Sequence, residues 1–178
     1  MVLPDRVVVP PAIELAEPMT TITDWLLAAI CLVCAVRVGR SIGSENRVTG
    51  WFWCGAFVAT AVAAMAGGAW HGLAGHLDAG TRHAIWNLVM FSIGAACAFM
   101  TAGIHAAHVR RRDGTVQWFV LAILTTLLGV ALQRGRFPNI RYFNHNDAFH
   151  VTQMVALYFY YRCARSVRDR GVGSALRM

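Results

Sequence analysis

His71 closes the segment "AAMAGGAWH" and His150 closes "FNHNDAFH", each at the edge of a long apolar run. Neutral imidazole is the commonest metal ligand in proteins. Three histidines with a carboxylate nearby suit tetrahedral zinc and leave one position for water. Water on such a metal can titrate at about pH 7, so it attacks esters or amides under neutral conditions. The candidate ligands are His71, His150, His145, His76 and His83. Asp147 and Asp24 are the candidate catalytic carboxylates, with Asp78 a third, since a carboxylate can orient a ligand histidine or act as the base.

Plainer roles compete for several of these residues. Asn144 and Asp147, three apart, have the spacing of a capping box, so "NHND" can simply start a helix. Thr23 and Asp24 could cap the first apolar run. His76 and His83 could sit in an aqueous loop, and His105 and His108 could complement a helix C-terminus beside Arg110, Arg111 and Arg112. Capping does not account for His150, which lies inside an apolar run.

The elements that must position these groups read as membrane helices. Of the 178 residues 57% are hydrophobic and 14% charged, against about 25% charged in soluble domains. A spanning helix needs roughly 20 apolar residues. Five runs approach or meet that length, at 21–38, 51–70, 84–104, 116–132 and 148–164. The fold expected is an all-α polytopic bundle of about five transmembrane helices. An extramembrane segment 1–18 precedes it, the bundle covers 19–166, and a basic tail 167–178 follows. The segment "MVLPDRVVVPPAIELAEP" is proline-rich and acidic, unlike a signal peptide.

All 16 basic residues are arginine and the formal net charge is +7. They gather at the ends of apolar runs, which marks cytoplasmic loops and argues against a nucleic-acid partner. Loops one and three and the tail are basic, placing the N-terminus outside and the C-terminus in the cytoplasm, as for a bacterial inner-membrane protein. Loop four, with Arg134, Arg136 and Arg141, breaks the pattern unless those arginines hold lipid phosphates. Trp51, Trp53, Trp70, Trp118 and the tyrosines near 160 suggest interfacial belts. The five cysteines lie in apolar runs, so "CLVC" reads as core packing and no disulfide framework is implied.

Alternating spans bring polar residues to one face. Thr20, Thr21 and Asp24 open run one; His71, His76 and Asp78 follow run two; His83 and Asn87 open run three. Gln133 and Arg134 end run four, and His145, Asn146, Asp147, His150 and Gln153 open run five. Gly55, Ala59, Ala63 and Gly67 recur every four residues, a spacing that lets membrane helices approach closely, and His71 continues the row. Asn146, His150, Gln153 and Leu157 share one helical face, and so do His83, Asn87 and Gly94. Three inward stripes are therefore expected.

The segment "NDAFHVTQMVALYFYYR", with a histidine ending an earlier helix, resembles the CREST superfamily of membrane hydrolases, which includes alkaline ceramidases and progestin/adipoQ receptors. The chain is also similar to small uncharacterised bacterial membrane proteins carrying segments like "TTITDWLLAA" and "FNHNDAFH". The CREST resemblance implies a zinc ion held by one histidine of an early helix and two of the last, hydrolysing lipid amides, with His71 and His150 as ligands. Asn146 stands where that superfamily has a further histidine and Gly67 where it has a serine, so His145, His76 or His83 would supply the third ligand.

Three functions follow as expectations. The first is a zinc site at the outer end serving lipid amide or ester hydrolysis, with membrane lipids as partners. The second is a non-catalytic accessory subunit of a larger membrane complex, supported by the small size and small-residue stripes. The third is a haem held between facing histidines, although no C-x-x-C-H motif is present.

Overall fold

The computed structural model describes residues 14–108 and 114–169. Five helices account for most of it: α1 (Pro18–Gly39), α2 (Arg47–Gly72), α3 (Ala79–Ala106), α4 (Thr115–Arg134) and α5 (His145–Ser166). Two short strands, β1 (Ala107–His108) and β2 (Arg168–Asp169), follow α3 and α5. Helices α1 to α4 are each long and apolar enough to cross a membrane. Helix α5 is 22 residues, a rise of about 33 Å, but polar residues occupy its first turns. The bundle's outer surface is rich in exposed apolar side chains, among them Leu26, Val33, Phe91, Leu124 and Val155, as a lipid-facing surface requires.

The helices pack in the order α3, α2, α1, α5, α4, with α3 mainly on α2 and α4 mainly on α5. The inner three share a core of Leu27, Cys31, Val38, Trp53, Phe57 and Leu157. Cys31, Cys34, Cys54 and Cys163 are buried thiols and Cys97 is an exposed one, as core packing rather than a redox motif requires. Trp53 is fully buried, so it belongs to this core and not to an interfacial belt, whereas Trp51 is 64% exposed.

Small residues decide how near α1 lies to α2. A Cβ on Gly68 would stand 2.5 Å from Trp25 Nε1, and one on Gly72 would stand 2.8 Å from Thr21 Oγ1. Glycine at these places admits the polar first turns of α1 against the last turns of α2. On α3 the expectation fails. His83, Asn87 and Gly94 are exposed, and the buried face carries Val89, Ser92, Ala96 and Gly103 instead. The face of His83, Asn87 and Gly94 had the wrong phase, because α3 packs on α2 through Ser92, Ala96 and Gly103.

At the end opposite the polar cluster, the C-terminal segment closes the fold. Strands β1 and β2 pair antiparallel, with Ala107 opposite Asp169 and His108 opposite Arg168. Arg168 pairs with Glu45. Asn46, the N-cap of α2, makes no side-chain cap, and its carboxamide oxygen accepts from Gly43 N–H at 2.8 Å. Asp169 supplies the cap from 120 residues away: its two oxygens accept from Val48 N–H and Thr49 N–H, each at 2.8 Å. The negative charge also faces the positive end of the helix dipole. Burial works to raise the Asp169 carboxyl, but the N–H groups of Thr49 and Val48 outweigh it and hold the group below its usual range. Its stabilising effect is therefore complete above the unfolded value of 3.8 and lost as pH falls through the lower folded value. Asp169→Ala is expected to cost about 1 kcal/mol. Thermal unfolding in detergent at pH 7 should show that loss, and the difference from wild type should persist unchanged to pH 5.

Candidate functional site

The polar residues do converge at one end, built from the starts of α1 and α5 and the end of α2. The N-terminus of α5 is a complete capping box. Asn144 Oδ1 accepts from Asn146 N–H at 2.7 Å and Asp147 N–H at 3.4 Å, while Asp147 Oδ2 accepts from Asn144 N–H at 2.7 Å. The box starts α5 at His145 and fixes the rotation that turns His150 toward α1.

Thr20, Thr21, Thr23 and Asp24 are all buried in the first two turns of α1. Helix α1 begins at Pro18 after Glu17, so Thr23 and Asp24 are not caps but interior groups. Asp24 Oδ1 lies 3.2 Å from His150 Nε2. Thr23 Oγ1 lies 3.0 Å from His150 Nδ1 and, on its other side, 3.0 Å from Thr20 O. With Asp24 a carboxylate, Nε2–H donates to it, and Nδ1 is the acceptor for the Thr23 hydroxyl. Gly67 makes room for this pair, since a Cβ there would meet Asp24 Oδ2 at 3.2 Å.

His71 stands at the mouth. Its Nδ1 is 3.2 Å from Glu17 Oε2, close enough to pair but off the line of a hydrogen bond, and its ring is 17% exposed. Trp70 packs edge-on against the same ring. The expected small-residue row thus leads to His71 as an inward group. His71 is within electrostatic reach of His150, and Asp147 and Glu17 are within reach of Asp24. Exposure falls along the series Glu17, His71, His150, Asp24, Asp147, from 41% at the Glu17 side chain to 1% at Asp147.

The other candidates are elsewhere. His145 is half-buried on the first turn of α5. His76 is exposed, with Nε2 3.2 Å from the Glu14 carbonyl. His83 is exposed on α3. Asp78 caps α3: Thr81's hydroxyl and backbone N–H hold its carboxylate below the usual range, so it stays ionised outside the cluster. Gln133 Nε2 reaches Asn146 Oδ1 at 3.3 Å and ties α4 to the site's rim. Arg110, Arg111 and Arg112 lie outside the described residues. Two partners were not among the candidates, Glu17 and Thr23. The only sequence signal for Thr23 was its place beside Asp24 inside an apolar run.

Four buried side-chain atoms at this end have no hydrogen-bond partner among the described residues: Asp24 Oδ2, His71 Nδ1, His145 Nδ1 and Asp147 Oδ1. These are metal-ligand atom types, but their spacing does not match. Among the described residues no group of three or more His, Cys, Asp or Glu side chains could hold a metal ion, and both nitrogens of His150 are occupied by protein. What the arrangement can do as it stands is move a proton. Three carboxylates and two imidazoles stand as neighbours in one cluster, groups between which a proton can pass. Below it lie Leu27, Cys31, Trp53, Phe57 and Leu157, the apolar core of the bundle.

One protein family, described as a family of unknown function (DUF6962), matches the chain over residues 19–112 and 97–169. No curated protein and no solved structure matches it. The family match runs from the first turn of α1 to the end of β2 and takes in His71, Asp24 and His150, and the chain belongs to DUF6962.

Proposed function

We propose that the chain is a five-span integral protein of a bacterial inner membrane, N-terminus outside and C-terminus cytoplasmic, whose outer end performs acid–base hydrolysis of a lipid amide or ester. The observation that carries this reading is His150 held between Asp24 and Thr23 at the buried end of a polar cluster. Ionisable groups at membrane depth are costly and are functional by default. Thr23 Oγ1 covers His150 Nδ1, so the hydroxyl relays the proton: it gives its hydrogen to Nδ1 while taking one from water, whose oxygen adds to the acyl carbon. The proton on Nδ1 passes back to the leaving nitrogen or oxygen as that bond breaks, and Asp24 stabilises the imidazolium in between. Glu17 and His71 give the site its exchange with solvent. The arginines of the α4–α5 loop, interleaved with exposed Phe137, Ile140 and Tyr142, suit the headgroup layer where such a substrate lies.

The test is product release from amide- and ester-linked lipids by protein purified in detergent, with metal content and a visible spectrum taken on the same sample. Hydrolysis by metal-free protein is expected. Near-stoichiometric zinc that is lost in a His71→Ala/His150→Ala double variant would instead make the histidines ligands, and a Soret band would make the cofactor haem. A second reading, an accessory subunit, is favoured by the outer helices: the spanning stretches of α3 and α4 are only 22% and 17% buried, against 50% for α1 and α2. Wild-type protein that hydrolyses nothing and purifies with other membrane subunits would put that reading first.

A further inference from the structure

Polar contacts pin α1 to α5 at the site end, through Asp24, Thr23 and His150. Toward the other end the same two helices leave a cleft of ≈ 350 Å³ between them. Its walls are Ala29, Ile30 and Val33 on one side and Met154 on the other, and Arg37 and Tyr158 stand at its end. From Ala29 to Arg37 the cleft follows about 12 Å of helix, close to the roughly 15 Å of hydrocarbon in one leaflet. Apolar walls of that length with a cation at the headgroup end match one lipid chain and its phosphate.

The charges at that end support an anion. Arg162 Nη1 donates to Tyr158 Oη at 2.9 Å, and Arg165 Nη1 donates to Tyr161 Oη at 3.3 Å. Each phenol that accepts from arginine keeps its own O–H to donate, and the cation strengthens that donation. Neither Arg37, Arg162 nor Arg165 forms a salt bridge among the described residues. The acids at this end among the described residues are committed: Glu45 to Arg168, and Asp169 to the start of α2.

We propose that the α1–α5 cleft binds an anionic phospholipid, one acyl chain between Ile30, Val33 and Met154 and the phosphate on Arg37 and the Tyr158 hydroxyl. The proposal rests on membrane placement and not on the hydrolytic reading, and its test does not involve turnover. Native mass spectrometry of the full-length protein in detergent, titrated with phosphatidylglycerol or phosphatidylcholine, is the experiment. A single phosphatidylglycerol adduct is expected, favoured about tenfold over phosphatidylcholine. Arg37→Gln should remove that preference, Arg40→Gln should keep it, and Val33→Trp should weaken both adducts by filling the cleft. Arg37→Gln decides the matter alone if Val33→Trp does not fold. Equal retention of the two lipids by wild type, or an undiminished preference in Arg37→Gln, overturns the proposal. A wild-type dimer that takes up neither lipid overturns it as well, in favour of a second copy on this face.

Discussion

His150→Gln is expected to lower lipid amide or ester hydrolysis at least about 100-fold, the usual share of a positioned general base. Glutamine fills a similar volume and can still meet Thr23 and Asp24, but it cannot carry the proton from water to the leaving group. The fold should therefore survive while turnover does not. Asp24→Asn should act in the same direction and more weakly, because an amide still holds the ring yet no longer stabilises the imidazolium. Asp24→Ala is different. It leaves His150 Nε2 buried with no partner, and breaking a buried pair in this way costs about 3 kcal/mol. The double variant Asp24→Ala/His150→Leu should recover part of that loss, since the second change removes the stranded donor. A coupling of at least about 1 kcal/mol is expected from the cycle of thermal unfolding measurements. Strictly additive stabilities would mean the two residues do not interact, and wild-type turnover in His150→Gln would remove the acid–base reading.

Most of the architecture was legible because long apolar runs leave few choices but helices packed side by side. Five apolar runs became five helices, and their alternation alone brought Asp24, His71 and His150 to one end. "NHND" was readable as a capping box because that motif is local, its bonds all made among Asn144, Asn146 and Asp147. The row of small residues on α2 was right only in part: Gly67 meets Asp24 of α1, but Gly55 meets Phe99 of α3, and the glycines that admit Trp25 and Thr21 are Gly68 and Gly72, one position off the row. What was not legible depends on a partner distant in sequence. Thr23 looked like a cap until α5 placed His150 beside it. Asp169 sits 120 residues from the helix it caps, and no local pattern announces such a cap. The phase of α3 failed for a related reason. Helix α3 has one main neighbour, so most of its circumference faces outward and the sequence carries no strong preference for which side is inside.

Trp53 ties α3 and α5 to α2, and Trp53→Ala is expected to cost about 2–3 kcal/mol. Its ring is fully buried, 6.2 Å from Phe57 on its own helix and 6.3 Å from Tyr160 on α5. Gly103 brings α3 onto the same indole, where a Cβ would stand 3.2 Å from Nε1. One side chain thus meets α3 and α5 from α2, and α4 is attached mainly through α5. In water the loss would include the transfer of an indole, giving about 3–5 kcal/mol. Inside a bilayer the alternative to packing is lipid, so the transfer contribution shrinks and the unfilled cavity dominates. Trp53→Phe should cost much less, about 1 kcal/mol or below, because Nε1 has no hydrogen-bond partner among the described residues. Trp51, two residues away and largely exposed, should tolerate alanine within about 0.5 kcal/mol. The ordering Trp53→Ala, then Trp53→Phe, then Trp51→Ala in thermal unfolding tests the rotation of α2 directly. Equal losses at positions 51 and 53 would mean that α2 is turned differently, and the same rotation would carry His71 out of the bundle and away from His150.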